Sequence, residues 1–424
     1  MRGLPILRRC QPSPLWDYLV AQLLDSRSSV RQIAAALGSQ QRIVDQQNIA
    51  ETEHSDTELL ARQLYAGALA SLRQSIGESC DFGEAHLPLA CLLMVILESV
   101  RGSPNHLLIH LRCGLCILRA RKGITTQQDR AVARLLRQYA VEATVFDPIS
   151  PSSQAVQLLI AEYPDTEASL EPISKVLQLV FDLLQSMTEV VRPTLSLTAV
   201  VYPLSSSASL GYLKEQQRTT EHAVDTRLAA SENLDAYYLA MYSLAKVRCL
   251  MSKIYIECAW TGRQTDYDAA LILFRQIVDI EEKYLQHMQS AASNGGYSSL
   301  PAAFSVGLSA QATLMCVIQQ CRDAHLRRRA LKLLKQCPRY EGVYNTVLVE
   351  AVCRAIIEFE ELSAGGTGRF IPECCRVHHY SLIGSSEERK EWRAVRLYYR
   401  GLESGQLCTR DVQLHIIHRP STLD

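Results

Sequence analysis

Cys321-Arg-Asp-Ala-His-Leu-Arg-Arg-Arg-Ala-Leu-Lys-Leu-Leu-Lys-Gln-Cys-Pro-Arg-Tyr-Glu-Gly342 is the most densely basic segment of the chain, and its conformation decides the fold class and the function class together. With Asp323 as N-cap, Leu326, Ala330, Leu333, Leu334 and Cys337 fall on one helical face. Arg328, Arg329, Lys332 and Lys335 fall opposite, with Arg327 at the edge. Pro338 stops the helix, and the late basic residues suit the negative pole of its dipole. Every residue has a structural role, so the basic face reads as solvated. A nuclear-import signal wants such a run extended, not locked against a core. Recognition of DNA by this helix lacks a basic surplus, a paired scaffold helix and base-reading Asn or Gln residues.

Working outward, the composition agrees. The 424 residues are 47% apolar and 21% charged, ordinary for a globular protein and against bulk disorder. Lys plus Arg equals Asp plus Glu at 44 each, whereas a chain that neutralises many phosphates carries a positive excess. The 14 cysteines follow no secreted disulfide framework and point to a reducing compartment. The longest apolar run, Leu87 to Leu97, is too short to span a bilayer and reads as a buried helix, so no membrane partner is expected. Met1 to Arg9 has the flavour of a transit peptide, yet its apolar part is too short for a secretory signal and it reads as an ordinary basic terminus.

Helical periodicity runs through most of the chain. Leu15–Leu24 and Val30–Leu37 form a helix pair, with Gly38 as C-cap. Asp56 caps a helix through Leu59, Leu60, Leu64, Ala68 and Leu72. Leu87–Val100 is apolar nearly all round, hence central. Gly102-Ser-Pro-Asn105 turns it into a helix from Leu107 to Leu118, an αα-hairpin. Asp147–Ser153 is a break, and Ile173–Val191 is a further helix. The small residues of Leu204–Leu210 and the charges that follow make 204–227 the candidate internal linker. Helices resume over Asn233–Trp260, Asp266–His287, Ala302–Gln320 and Val343–Leu362, with a loop at Ala291–Ser299. After Gly365-Gly366, read as a hinge, the period falls to two over Val377–Leu382, Val395–Tyr399 and Val412–Ile416. The expected fold is thus mostly α: a helical bundle of packed αα-hairpins over residues 1–365, with a small antiparallel β element at 370–424.

A resemblance is carried by Phe304-Ser-Val-Gly-Leu308, the opening stretch through Cys337-Pro-Arg-Tyr-Glu-Gly-Val-Tyr344, and Ile356-Ile-Glu-Phe-Glu-Glu361. Trp16-Asp-Tyr-Leu-Val20, Val30–Gly38, Leu89–Gly102 and His110–Leu118 extend it in order along nearly the whole chain. Together these motifs resemble the regulatory region of fungal binuclear zinc-cluster transcription factors. The resemblance implies a nuclear regulator of transcription, often of a gene cluster for a specialised metabolite. It also implies protein partners of the transcription machinery or a DNA-binding paralogue, and a possible small-molecule effector. The family's six-cysteine module has no counterpart in this sequence, since Cys10 stands alone before Cys80, and no zinc-cluster residue carries over. Two versions stay open: the module lies upstream of a misplaced start codon, or the chain is a co-regulator that reaches DNA through another protein. A cytoplasmic α-helical interaction scaffold is the alternative from another class.

No catalytic, cofactor or metal residue is assigned. Cys113-Gly-Leu-Cys116 follows His106 and His110 at helical spacing, yet one straight helix cannot surround a tetrahedral ion. Cys374-Cys375 with His378 and His379 lies in the alternating region, where adjacent side chains diverge. His-Glu-x-x-His, Gly-x-Ser-x-Gly and Walker patterns are missing, and Gly365-Gly-Thr-Gly368 has no strand before it. The expectation is a protein that is not an enzyme.

Overall fold

In the computed structural model, the residues described are 24, 27–46, 54–78, 86–120, 127–146, 176, 179–187, 207–230, 236–259, 262–294, 304–305, 310–338, 340–341, 344–367, 370–385, 392–401 and 406–414. Of these, 82% are helical, and the C-terminal part is a three-stranded antiparallel sheet. The mostly α expectation, with its small β element, is what the structure shows. The expectations on Met1–Arg9 and Asp147–Ser153, on the helix Leu15–Leu24 before Leu24, and on both ends of Ile173–Val191 lie outside the described residues.

The first layer is built on α1 (Ser28–Gln46), α2 (His54–Glu78), α3 (His86–Arg101), α4 (Pro104–Ala120) and α5 (Gln127–Phe146). Every residue of α3 from His86 to Val100 is buried, as expected of a helix apolar on all sides. The α3–α4 hairpin turns at Gly102, whose φ of 66° is open to glycine at no steric cost. Its N–H donates to Ser99 O and that of Ser103 to Glu98 O, each at 2.9 Å, the paired bonds of a Schellman end. Gly38, expected as a C-cap, instead lies inside α1, where both neighbouring turns continue.

The second layer holds α6 (Ser207–Ala229), α7 (Ala236–Cys258), α8 (Leu271–Asn294), α9 (Ala310–Gln320), α10 (Ala324–Leu334) and α11 (Thr346–Ser363). The candidate linker at 204–227 is corrected: from Ser207 onward it is α6, packed on α7. Its charges are spent on that contact, with Lys246 Nζ 2.7 Å from Glu221 Oε1 and 2.8 Å from Asp225 Oδ1. Likewise, α8 continues to Asn294 through the start of the expected loop. Arg248 of α7 reaches Glu142 of α5 at 2.7 Å, both buried, which fastens the two layers.

Three two-residue strands, β1 (Phe304–Ser305), β2 (Tyr340–Glu341) and β3 (Tyr344–Asn345), form a small side sheet. The C-terminal sheet runs β4 (Val377–Ser385), β5 (Trp392–Arg400), β6 (Leu407–Gln413), antiparallel throughout. Val377, Tyr380, Val395 and Leu397 face inward and join the apolar core of the helices. The expected hinge at Gly365-Gly366 is the end of α11. Gly365 has φ 85°, and its N–H donates to Leu362 O at 3.1 Å while that of Gly366 donates to Glu361 O at 2.8 Å.

Candidate functional site: a charged seam beneath the C-terminal sheet

The basic helix α10 packs among α8, α9 and α11 in the second layer. Its N-cap is Asp323, whose Oδ1 accepts from Leu326 N at 2.7 Å. Leu326, Ala330, Leu333, Leu334 and Cys337 are buried as the periodicity predicts. Arg327 departs from expectation: placed at the edge of the helical wheel, it is fully buried. Its Nη2 lies 2.8 Å from Glu360 Oε2, and its Nε donates to Ile318 O at 2.9 Å. The basic face is not merely wet, because neighbouring helices bring carboxylates to it. Arg328 pairs with Glu361 at 2.7 Å, Arg329 with Asp279 at 2.7 Å and also with Glu282, and Lys335 with Glu350 at 3.2 Å. Half-exposed pairs of this kind contribute little each; their effect is to fix how α10 sits on α8 and α11.

Glu360 is the centre of the seam. It has no exposed surface and sits between two guanidiniums, Arg327 and Arg322, the latter 2.7 Å from Oε1. Val377 N–H donates to the same Oε1 at 2.7 Å, which ties the first residue of β4 to α11. Oε1 thus accepts from Arg322 and Val377 while Oε2 faces Arg327 as an ion pair, so Glu360 anchors α11 to α10 and to β4. Burial pulls the Arg322 guanidinium below its ordinary value, opposed by Glu360. Among the described residues, Nε and Nη1 of Arg322 have no hydrogen-bond partner.

A second knot lies alongside, where the short helical turn Gln264–Ala270 meets the turn Glu373–Cys375. Glu373 accepts from Gln264 N at 2.9 Å and Thr265 N at 2.8 Å, as a carboxylate at a helix N-terminus does. His378 Nε2 is 3.2 Å from Glu373 Oε1. Burial raises the Glu373 carboxyl, but the bonds from His378, Gln264 and Thr265 outweigh it and hold the group down at about 2. Arg376, buried, forks onto Asp268 with contacts of 2.8 and 2.7 Å and donates to Gln264 O at 2.9 Å and Ile371 O at 2.8 Å. Within Asp266-Tyr-Asp268, Asp268 thus holds Arg376, and Tyr267 is buried.

The sequence singled out two cysteine–histidine groups. In α4, His106 Nδ1 is 2.8 Å from Ser103 Oγ, His110 points to Glu98 Oε1 at 3.9 Å, and Cys113 and Cys116 are exposed. Burial pushes His110 down to about 4, so it is neutral at physiological pH. In the second group, His378 and His379 part as alternation predicts, His379 going to the rings of Tyr380 and Tyr398. Cys374 and Cys375 do not part. They lie in a 3-10 turn instead of a strand, and their sulfurs are 3.9 Å apart. Among the described residues, no three His, Cys, Asp or Glu side chains are placed to hold a metal ion. Burial pushes the core thiols of Cys91 and Cys316 up to about 12 and Cys321 up to about 11, the state of inert packing groups.

The seam itself was missed from sequence. Arg322, Arg327, Glu360, Glu373 and Arg376 are scattered over 55 positions, and the only local signal was a glutamate inside the apolar run of α11. No family model, no curated protein and no solved structure matches this chain.

Proposed function

We propose that the chain is a nuclear regulator of transcription, of the type of the fungal zinc-cluster factors, that controls genes for a specialised metabolite and acts through its helical body. One observation carries the reading. Two motifs that bear the resemblance, far apart in sequence, meet in the fold: Arg322 and Arg327 of the basic stretch pair with Glu360 of Ile356–Glu361. Leu89–Gly102 and His110–Leu118 likewise belong to the two helices of one hairpin. The balanced charge supports contact with DNA through a protein partner, either a DNA-binding paralogue or the transcription machinery. An effector of small-molecule type would act by shifting the helical body between arrangements.

The test is a fluorescent fusion at the native locus combined with transcript profiling of the deletion strain. Nuclear signal with altered transcripts of a contiguous gene set is expected. Cytoplasmic signal with unchanged transcripts refutes the proposal and supports an α-helical interaction scaffold.

A further inference from the structure

Two thiols adjacent in sequence are seldom placed to act on one atom, since an extended backbone sends them to opposite sides. The 3-10 turn Glu373–Cys375 removes that obstacle and sets the two sulfurs 3.9 Å apart, both half-exposed. A direct disulfide is the wrong closure for this pair. Neighbouring Cα atoms lie about 3.8 Å apart, short of the roughly 4.4–6.8 Å that an unstrained disulfide needs. A single thiophilic atom between them fits better, because two bonds of about 2.3 Å, as in zinc thiolates, span such a gap at an open angle. A structural zinc ion wants four ligands, and no third His, Cys, Asp or Glu of the described residues completes a set. The occupant is therefore an electrophile satisfied by two sulfurs.

We propose that Cys374 and Cys375 form a chelating dithiol site for one trivalent arsenical, and that filling it loosens the C-terminal sheet from the helices. The reaction balances without an oxidant. R–As=O and two thiols give R–As(SR)2 and water: two As–S bonds form, the As=O and both S–H bonds break, and the oxygen leaves with both thiol protons. Arsenic stays trivalent. Burial, with the Cys374 contact, pushes the Cys375 thiol up to about 11, so that thiol is protonated at neutral pH. That slows reagents that need a thiolate and leaves the chelate its two-point advantage. The link to the sheet is sequence adjacency: Glu373 and Arg376 flank the pair and make the contacts to Gln264, Thr265 and Asp268. Bridging the sulfurs reshapes the turn on which both side chains are mounted. The inference is independent of the transcriptional reading.

The experiment uses the reduced full chain and phenylarsine oxide. One tight equivalent is expected, displaced by 2,3-dimercaptopropanol and not by the same concentration of 2-mercaptoethanol. Cys374→Ser and Cys375→Ser should each weaken binding about 100-fold or more, the loss of one of two linked contacts. Cys113→Ser/Cys116→Ser should leave it unchanged. Tight binding that survives Cys374→Ser, or that vanishes with the Cys113 and Cys116 pair, overturns the site. Tandem mass spectrometry of the adduct on the unsubstituted protein gives the same decision without a variant: a bridge across Cys374 and Cys375 supports it, and a bridge elsewhere overturns it. Hydrogen exchange at Gln264 and Thr265 should speed up by about tenfold on binding, as a local opening does. Unchanged exchange at both amides overturns the coupling to the sheet.

Discussion

Replacing Glu360 by Gln tests the seam most directly. The substitution keeps the size of the side chain and a carbonyl that can accept from Val377 N–H, while it removes the charge and turns the second acceptor oxygen into an amide donor. Arg327, with no exposed surface, and Arg322, 5% exposed, then face each other without their shared carboxylate. Breaking a buried pair from one side costs about 3–5 kcal/mol, and here two cations are stranded. Urea unfolding followed by far-UV circular dichroism should show a lower midpoint at unchanged slope, a loss of this size. Adding Arg327→Met removes one stranded guanidinium, so part of the loss should return, a coupling of at least about 1 kcal/mol. The exposed pair Arg396–Asp411 on β5 and β6 is the control, and its removal should leave the midpoint in place. A Glu360→Gln protein within about 1 kcal/mol of the parent, or strictly additive substitutions, would refute the assignment of Glu360 as the anchor of the seam.

Two glycines inside helices should respond in opposite directions. Gly38→Ala meets nothing within 4 Å and should stabilise by about 0.8–1 kcal/mol. Gly114→Ala puts a methyl 3.0 Å from Leu136 and 3.1 Å from Cys91, where α4 presses on α3 and α5, and should cost about 1–3 kcal/mol; melting temperatures check both. Glu373, held at about 2 against an ordinary 4.5, contributes stability that is complete above pH 4.5 and lost as pH falls toward 2. The stability–pH profile of Glu373→Gln should lack that acid limb. His379, pushed down to about 4 by burial, should titrate near pH 4 by NMR, and His379→Phe should flatten the loss of stability between pH 6.5 and 4.

The layout of the helices was legible because most are amphipathic at a period of 3.6, and α3 because it is apolar all round. Asp323 was readable as a cap since its partner lies three residues on. What failed depended on neighbours absent from the local pattern. A run as charged as Lys214–Thr226 looks like a linker until Lys246 of another helix meets Glu221 and Asp225. Arg327 looks like a rim residue until Glu360 arrives from α11. Cys374 and Cys375 look like strand residues because period-two alternation surrounds them, although Pro372 before them favours a turn. The seam was invisible for the same reason, being made of charges whose partners lie up to 109 residues away.

The reach of Arg376 back to Asp268, across 108 residues, has a consequence for synthesis. A ribosome adds about 5–20 residues per second, so Asp268 and the Gln264–Thr265 amides wait roughly 5–20 s for the side chains that cover them. Through that interval every helix of the body can already have formed. A message cut short before codon 373 yields a product whose helices are all present and whose second layer is left unsealed, with Glu360 lacking the Val377 amide. The last strands act as a stamp of completion, and an incomplete copy carries its own mark for the proteases of the cell.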